Sequence, residues 1–139
     1  MTLRIKKLTP EAVLPLKAHP TDAAFDITTN ESYTLQPGER HTFTTGIASE
    51  FPPEYVALLR DRSSLGSKGI QVLAGVIDAS YRGEWKVVLL NSSSEAYEIT
   101  AGERIAQCLM VPVPTFEVQE VQEIGETDRG TGGFGSSGK

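Results

Sequence analysis

Short runs of β-branched and aliphatic residues, each ended by a turn signal, limit how this chain can fold more than any other feature. Such runs recur along the chain, and no stretch carries the 3.6-residue period of an amphipathic helix. Pro15 and Pro20 also prevent a long helix near the N-terminus. Many short strands with little helix are typical of antiparallel sandwiches and barrels. We therefore predict an all-β, jelly-roll-like domain with one short helix.

The strands and turns that this pattern predicts can be placed along the chain. Turn signals at Pro37 with Gly38 and at Arg82 with Gly83 each predict a hairpin between the flanking strands. Ser63 or Ser64 is expected to cap the short helical turn. Strands are predicted over residues 3–8, 21–27, 32–34, 41–44, 55–60, 72–77, 85–91, 96–99, 103–112 and 116–119.

The end of the chain differs in composition from the rest. Six glycines lie between residues 125 and 138, and Phe134 is the only large apolar residue there. The whole chain of 139 residues suits one domain. We expect residues 1–124 to form that domain and residues 125–139 to form a flexible, Gly-rich C-terminal arm.

Charge and cysteine content restrict the class of protein. The formal net charge of −5 argues against a broad basic surface, so neither a nucleic acid polymer nor a membrane is expected as a partner. The first eight residues are too polar for a signal-peptide core. Cys108 is the single cysteine and lies in an apolar run, so it is expected to be buried and unable to form an intrachain disulfide. A cytoplasmic protein is expected.

The decapeptide from Gly75 to Glu84 lies between two apolar runs at the centre of the chain. Its Asp78 closes an apolar strand, where burying a carboxylate is costly. It should therefore be hydrogen-bonded, lie at a rim or serve in chemistry. Taken alone, Asp78 fits a turn-stabilising residue better, and Tyr81 fits a cross-strand packing residue. Asp26, which alternates with apolar neighbours on its strand, is likewise expected to be exposed to solvent.

Two further groups of residues suit a nucleotide. Arg62 followed by Ser63 at a helix start would offer a guanidinium, a hydroxyl and free backbone N–H groups to a phosphate. A plain N-cap is the commoner use of such a serine. In the arm, Arg129, Thr131 and Phe134 are spaced among glycines. That pattern fits a nucleotide clamp, in which a cation and backbone N–H groups hold phosphates while a ring stacks on a base.

Taken in order, five segments of the chain resemble the motifs of the homotrimeric dUTP diphosphatases (dUTPases). Each short segment is weak alone, but the third and fifth are long and all five stand in the family's order. Accidental agreement is very improbable. The segments are residues 23–27, 62–66, 75–84, 102–107 and 129–138.

The resemblance implies a jelly-roll hydrolase of nucleotide metabolism that converts dUTP and water to dUMP and pyrophosphate. Such an enzyme limits uracil in DNA and supplies dUMP for thymidylate synthesis. The resemblance also implies Mg²⁺ as the cofactor, bound to the triphosphate oxygens. The implied assembly is a homotrimer with active sites at subunit boundaries, where the arm of one copy closes over the nucleotide of a neighbour.

The resemblance also implies a role for each matching position. Asp78 would orient and deprotonate the attacking water, and a general base of this kind contributes roughly 100- to 10,000-fold. Tyr81 would lie beneath the deoxyribose and leave no room for a 2′-hydroxyl, while Asp26 would hold the hydration shell of Mg²⁺ through water. The implied substrate-binding residues are Arg62, Ser63, Ser64 and Gln107 toward the phosphates, Gly75, Val76 and Ile77 in the hairpin that reads the uracil edge, and Arg129, Thr131, Gly133, Phe134, Gly135 and Ser136 in the arm.

Two alternatives compete with this interpretation. The related dCTP deaminases share the fold and an Arg-Ser-Ser motif, which Arg62 and its two serines match, and Glu84 could serve as the deaminase carboxylate. Ser67 stands where that motif carries a second arginine, which argues against deamination. A non-catalytic regulatory β-domain is the other alternative, and the retained Asp78 and Asp26 argue against it.

Two positions depart from the dUTPase pattern. Ala24 and Ser64 stand where the family usually has glycine. A Cβ at each position asks for less unusual backbone angles or slightly displaced contacts. The chemical groups assigned to the site are unaffected, so the departures bear on geometry more than on activity.

Overall fold

The computed structural model describes residues 1–133, which contain eleven β-strands and one four-residue helix. None of the helical structure in this range is long and apolar enough to cross a membrane. In chain order the elements are β1 (Arg4–Lys7), β2 (Phe25–Thr28), β3 (Tyr33–Leu35), β4 (Arg40–Thr44), β5 (Ile47–Glu50), β6 (Tyr55–Arg60), α1 (Ser63–Gly66), β7 (Ile70–Leu73), β8 (Val76–Ile77), β9 (Lys86–Asn91), β10 (Tyr97–Ile99) and β11 (Arg104–Pro112).

The strands form two larger sheets and two separate strand pairs, and every pairing is antiparallel. One larger sheet has the order β2-β11-β6-β8 and the other β4-β9-β7. The pairs are β1 with β5 and β10 with β3. The predicted all-β architecture with one short helix is therefore confirmed.

The core is built from side chains that alternate along the strands, as the period of two requires. Along β9, Val87 and Leu89 are fully buried while Lys86 is exposed. Cys108 on β11 is 1% exposed, which confirms the prediction of a buried thiol. Burial raises the pKa of that thiol to about 12.

The turn at Pro37 and Gly38 forms as predicted, but the hairpin around it does not. Gly38 takes a φ of +76°, and the Glu39 N–H donates to the Gln36 carbonyl at 3.0 Å. The strands on either side pair elsewhere, β3 with β10 and β4 with β9. The β4–β9 register spans five residue pairs and buries Phe43, which the three-residue β3 could not match. The turn therefore connects strands that belong to two different sheets.

The predicted strand over residues 72–77 is in fact two strands that belong to different sheets. β7 pairs with β9, whereas β8 pairs with β6. Between them, Ala74 takes a φ of +58° and Gly75 a φ of +94°. At Gly75 a Cβ would lie 2.9 Å from the Leu59 Cβ and 3.0 Å from its carbonyl oxygen, so glycine is needed for space as well as for the left-handed angle. This kink sends the chain from one sheet to the other.

The turn that follows β8 also differs from the prediction. The Tyr81 N–H donates to the Asp78 carbonyl at 3.0 Å, so the hydrogen-bonded turn lies at Asp78 to Tyr81, and Gly83 forms only a bend. The predicted hairpin does not form, because β8 pairs with β6 whereas β9 pairs with β4 and β7.

Two smaller predictions are wrong. The helix α1 begins at Ser63 with Arg62 as its N-cap, and no side chain caps it, because both serines lie inside the helix. The predicted strand over residues 116–119 does not form, and Phe116 is 80% and Val118 96% exposed. Their apolar alternation is present, but no strand within residues 1–133 pairs with them, and a strand without a partner is not stable.

Candidate nucleotide-binding site

A cavity of about 250 Å³ lies against the segment that runs from β7 to β9. Its volume is below the roughly 300–1,000 Å³ of pockets that enclose a whole drug-sized ligand, so it suits one part of a nucleotide. Five residues that the sequence assigned to the site are in its wall. The lining consists of Leu73, Ala74, Gly75, Val76, Ile77, Asp78, Tyr81, Glu84, Lys86 and Val88.

The backbone of β8 is accessible at this cavity. β8 is the last strand of its sheet, paired on one side only with β6 through Val76 and Ile77. Within residues 1–133, no strand covers its outer edge. An edge strand presents backbone N–H and C=O groups in a fixed row, which is an arrangement that can read the edge of a planar base.

Asp78 lies at the exposed rim of this cavity. Its backbone carbonyl accepts the turn hydrogen bond from Tyr81, whereas its carboxylate accepts none from any residue between 1 and 133. The side chain therefore does not stabilise the turn, and that interpretation of Asp78 is wrong. A carboxylate without a protein partner, at the rim of a cavity, is free to accept a proton from a bound molecule.

Tyr81 forms part of the same wall and does not pack across strands. Its side chain is 45% exposed, and its hydroxyl donates to the Glu84 carbonyl at 3.1 Å. The end of the ring lies against the backbone of Gly83. One face of the ring is thus held by its own loop, and the residue is available to a ligand in the cavity.

A second cluster of site residues lies at the other side of the larger sheet. Arg62 Nε lies 2.9 Å from Asp26 Oδ1, and Arg104 Nη1 lies 2.9 Å from Asp26 Oδ2. Arg62 Nη1 also donates to the Arg104 carbonyl at 2.9 Å. The Asp26 side chain is only 15% exposed, so the expectation that it faces solvent is wrong. Two guanidinium groups around one carboxylate leave a local positive charge, which suits phosphate.

Arg104 was not among the residues singled out from the sequence. It lies within the fourth resembling segment, at the start of β11, and that position was the available signal. Its role becomes visible only when the pairing of β11 with β2 brings it to Asp26, 78 residues away.

Gln107 and the two serines belong to the same end of the sheet. Gln107 is paired with Asp26 on β2 and with Arg60 on β6. Its Nε2 donates to the Asp61 carbonyl at 2.7 Å, which fixes the corner between β6 and α1. Ser63 and Ser64 are exposed in the first turn of α1, where backbone N–H groups have no partner within the helix.

One chain does not bring the two clusters together. Asp26 on β2 and Arg60 on β6 lie at the same position along the sheet. Ile77 lies opposite Ala57, and Asp78 is the residue after Ile77. Three strand spacings of the order β2-β11-β6-β8 separate them across the sheet by about 14 Å, and four residues separate them along it by about 13 Å. By these strand spacings the two aspartates are about 20 Å apart, too far to act on one phosphate.

The described part of the arm forms its own turns. Arg129 Nε donates to the Gly132 carbonyl at 2.9 Å, and the Gly130 N–H donates to the Thr127 carbonyl at 2.9 Å. Within residues 1–133, no hydrogen bond joins Arg129, Thr131 or Gly133 to the cavity. None joins them to the arginine cluster either, which is the group of Arg62, Arg104 and Asp26. The remaining predicted arm residues, Phe134, Gly135 and Ser136, lie outside the described residues.

The family model described as dUTPase matches residues 10–138. The chain belongs to the dUTPase family. Among curated relatives, the deoxyuridine 5'-triphosphate nucleotidohydrolase of Nautilia profundicola is 48% identical and is covered completely, as is this chain. That of Clostridium acetobutylicum is 43% identical over 99% of this chain and 97% of the relative. The predicted enzyme class, a dUTP diphosphatase and not a dCTP deaminase, is confirmed.

Solved dUTPase structures have the same fold. The Staphylococcus bacteriophage 80alpha dUTPase with dUPNHPP matches with a TM-score of 0.92 and 34% identity, over 99% of both chains. A mutant dUTPase from phage phi11 of S. aureus, whose structure concerns a structural Mg(II) ion, matches with a TM-score of 0.84 and 29% identity over 91% of this chain and all of that one. The predicted jelly-roll dUTPase fold is therefore confirmed.

Proposed function

We propose that this dUTPase cleaves dUTP to dUMP and pyrophosphate by attack of water on the α-phosphorus, with Asp78 as the general base. The observation that carries the proposal is the exposed Asp78 carboxylate, which has no protein partner within residues 1–133 and lies at the rim of the cavity. As the water oxygen bonds to phosphorus, its proton passes to Asp78 and the bond to the pyrophosphate oxygen breaks. Removal of dUTP limits uracil in DNA, and the dUMP formed supplies thymidylate synthesis.

The cavity is the proposed nucleoside subsite. Backbone groups of Gly75, Val76 and Ile77 pair with the uracil edge, and the fixed backbone excludes both cytosine and the methyl group of thymine. Support comes from the outer edge of β8, which no strand covers within the described range. The Tyr81 ring lies beneath the deoxyribose and leaves no room for a 2′-hydroxyl.

The proposed triphosphate subsite lies beside the arginine cluster and is formed by Arg62, Ser63, Ser64 and Gln107. Arg62 uses two of its five guanidinium donors on Asp26 and Arg104, which leaves three for phosphate oxygens. The two contacts also hold the guanidinium plane in one orientation, so little side-chain entropy is lost when a phosphate binds. The exposed serine hydroxyls supply further donors, as do the backbone N–H groups of Ser63 and Ser64, which have no acceptor within residues 1–133.

The residues fit a Mg²⁺ ion that is bound mainly by the triphosphate and by water. Within residues 1–133, no group of three or more metal-ligating side chains surrounds a common point, so these residues do not form a set of direct ligands for a metal ion. Each oxygen of Asp26 accepts one guanidinium donor and retains capacity for a water of the metal's hydration shell. When bound, Mg²⁺ neutralises charge on the phosphates.

We further propose that the active sites are shared within a homotrimer. The separation of about 20 Å between Asp26 and Asp78 within one chain supports this, since a second copy must supply one of the two clusters. An apolar row on segment 113–124 gives further support, because its side chains have little cover in their own chain within residues 1–133. Its members are Phe116, Val118 and Ile124, which are 80%, 96% and 86% exposed.

The arm, residues 125–139, closes over the nucleotide of a neighbouring copy in this proposal. The twelve residues 113–124 span up to about 40 Å when extended, enough to carry the arm beyond its own subunit. Arg129, Thr131, Gly133, Gly135 and Ser136 then reach the phosphates, while Phe134 stacks on the uracil. Closure excludes water from the site.

Product analysis tests the proposal. The protein and Mg²⁺ are incubated separately with dUTP, dCTP, dTTP and UTP, and products are separated by chromatography. Formation of dUMP and pyrophosphate from dUTP alone is the expected result. Cleavage of UTP or dTTP would contradict the proposed roles of Tyr81 and of the β8 backbone, and release of phosphate in place of pyrophosphate would contradict attack at the α-phosphorus.

A further inference from the structure

Gly83 lies directly behind the ring of Tyr81. A Cβ at Gly83 would come within 2.5 Å of Tyr81 Cζ and 2.9 Å of Cε2, and closer still to the hydroxyl oxygen. Real Cβ atoms do not make contacts of this length, so any side chain at position 83 must displace the ring. The ring therefore occupies space that only glycine leaves free.

Backbone conformation does not account for glycine at this position. Gly75 and Gly102 have φ values of +94° and +90°, which L-residues rarely adopt, whereas Gly83 is not in the left-handed region. A left-handed φ is therefore not what requires glycine there. The contact with Tyr81 is the requirement for glycine that the structure does show.

The second contact of the Tyr81 ring is anchored to the core. Its hydroxyl donates to the Glu84 carbonyl, and the Glu84 carboxylate accepts the Gly46 N–H at 2.8 Å. The next residue, Trp85, is fully buried, and its backbone N–H donates to the Ile47 carbonyl at 2.8 Å. The Thr45 hydroxyl donates to the Trp85 carbonyl at 2.6 Å. The hydroxyl acceptor of Tyr81 therefore cannot move without disturbing the core.

We propose that Gly83 is a positioning residue that sets the location of the Tyr81 ring and so determines how strongly a ribonucleotide is rejected. The inference rests on the proposed contact of Tyr81 with the sugar. Absence of a Cβ lets the ring lie back against the loop, where Glu84 holds its hydroxyl. A ring held in this position excludes a 2′-hydroxyl. Tyr81 is 45% exposed, so a ring displaced by a side chain at position 83 has room to move outward and would no longer exclude that hydroxyl.

The test is a double-mutant cycle of Gly83→Ala and Tyr81→Ala, measured as the ratio of kcat/KM for dUTP to that for UTP. A pocket that discriminates by shape separates substrates that differ by one small group by roughly 10- to 200-fold, so Gly83→Ala alone should reduce the ratio by about 10- to 100-fold. In the Tyr81→Ala background, the same change should alter the ratio by less than about twofold, since contacting residues are not additive. Far-ultraviolet circular dichroism and Tm establish that each variant is folded.

Two results would overturn the inference while leaving the dUTPase proposal intact. One is a Gly83→Ala enzyme that keeps the normal ratio although Tyr81→Ala lowers it. The other is an equal loss in both backgrounds, which would indicate a general disturbance of the loop. If Tyr81→Ala itself leaves the ratio unchanged, the proposed sugar contact fails, and the role of Gly83 fails with it.

A second variant covers the case in which Gly83→Ala does not fold. Tyr81→Phe keeps Gly83 and the ring but removes the hydrogen bond to Glu84. The ratio for this variant should fall by less than it does for Tyr81→Ala, because the ring remains seated against Gly83. A loss as large as that of Tyr81→Ala would show that contact with Gly83 does not position the ring.

Discussion

Arg62 and Asp26 form a hydrogen-bonded ion pair with an Nε–Oδ1 distance of 2.9 Å, although they are 36 residues apart in sequence. The proposed phosphate ligand is therefore attached to the proposed holder of the metal's water shell. Arg104 binds the other carboxylate oxygen and accepts a hydrogen bond from Arg62 through its carbonyl. The three residues form a closed ring of contacts, so a change in one displaces the others.

The orientation of Arg62 should matter more than its charge. In Arg62→Lys the charge stays, but one ammonium cannot bind Asp26, the Arg104 carbonyl and a phosphate together. Hydrogen bonds to charged groups contribute about 1.5–3 kcal/mol, so kcat/KM for dUTP should fall roughly 10- to 100-fold. Arg40→Lys, an exposed arginine on the other sheet, is the matched control and should keep full activity. A lysine enzyme as active as the control would contradict the orienting role.

The general base should be separable from binding. In Asp78→Asn the pocket keeps its shape, but the proton acceptor is lost, so kcat should fall roughly 100- to 10,000-fold. Calorimetric affinity for a non-hydrolysable dUTP analogue should stay within about threefold of the unchanged enzyme, because no protein contact within residues 1–133 depends on that carboxylate. Glu98→Gln on β10 removes a distant exposed carboxylate and serves as the control. Near-normal turnover in Asp78→Asn would assign the base elsewhere.

The exposed face of segment 113–124 should hold the proposed trimer together. Phe116 and Val118 are two residues apart and point to the same side of an extended chain. Replacing both with aspartate should lower the mass measured by light scattering from three chains to one, with loss of activity, since buried charge without a partner is costly.

The chain offers a matched control for that experiment. Thr115→Asp with Gln119→Asp adds the same two charges on the opposite side of the segment and should leave the trimer intact. If both double variants remain trimeric, the apolar row is not the interface. If both dissociate, added charge and not the lost apolar surface is responsible.

Stability in acid should depend on Glu31. Burial alone would raise the pKa of Glu31, but hydrogen bonds from Thr44 and His41 outweigh it and lower the pKa below its ordinary value. A depressed pKa in the folded state gives stability above the unfolded pKa of about 4.3, which is lost as pH falls through the folded value. Glu31→Gln should therefore reduce the free energy of unfolding near neutral pH, and the deficit should shrink between about pH 5 and pH 3.

Denaturant unfolding at several pH values measures this difference. Glu11→Gln, which removes an exposed carboxylate near the N-terminus, should show no comparable pH dependence. A deficit for Glu31→Gln that is constant from neutral pH to pH 3 would mean that the lost contacts are structural and unrelated to ionisation.

Local patterns predicted most of the strands and the turn at Pro37 and Gly38, but not which strands pair. The turn at Pro37 and Gly38 follows from two adjacent residues, whereas the partners of the strands beside it are set by burial of the whole core. In the same way, Asp26 looked like a solvent-exposed residue because its two arginine partners are 36 and 78 residues away. Local sequence patterns therefore could not predict the ion-pair ring, although they could indicate that its residues carry charges suited to a phosphate site.

The kink at Ala74 was unpredictable for a different reason. Alanine carries no turn signal, and a left-handed φ costs it roughly 1–2 kcal/mol, so a continuous strand was the natural expectation. The kink results from contacts with β6, which lies outside the predicted strand 72–77. Gly75 lies close to Leu59 of β6, and β8 pairs with β6. The prediction of a strand at 116–119 is wrong for another reason. Its residues suit a strand, but no strand within residues 1–133 pairs with it.

The buried state of Cys108 has a practical consequence for observing the arm. A thiol that is 1% exposed, with a pKa of about 12, is almost never the thiolate that alkylating labels attack. Because the chain has no other cysteine, Glu126→Cys would place one reactive thiol at the start of the arm, and Cys108 would not have to be replaced. A fluorophore attached there would report the proposed closure of the arm without signal from a second labelled cysteine.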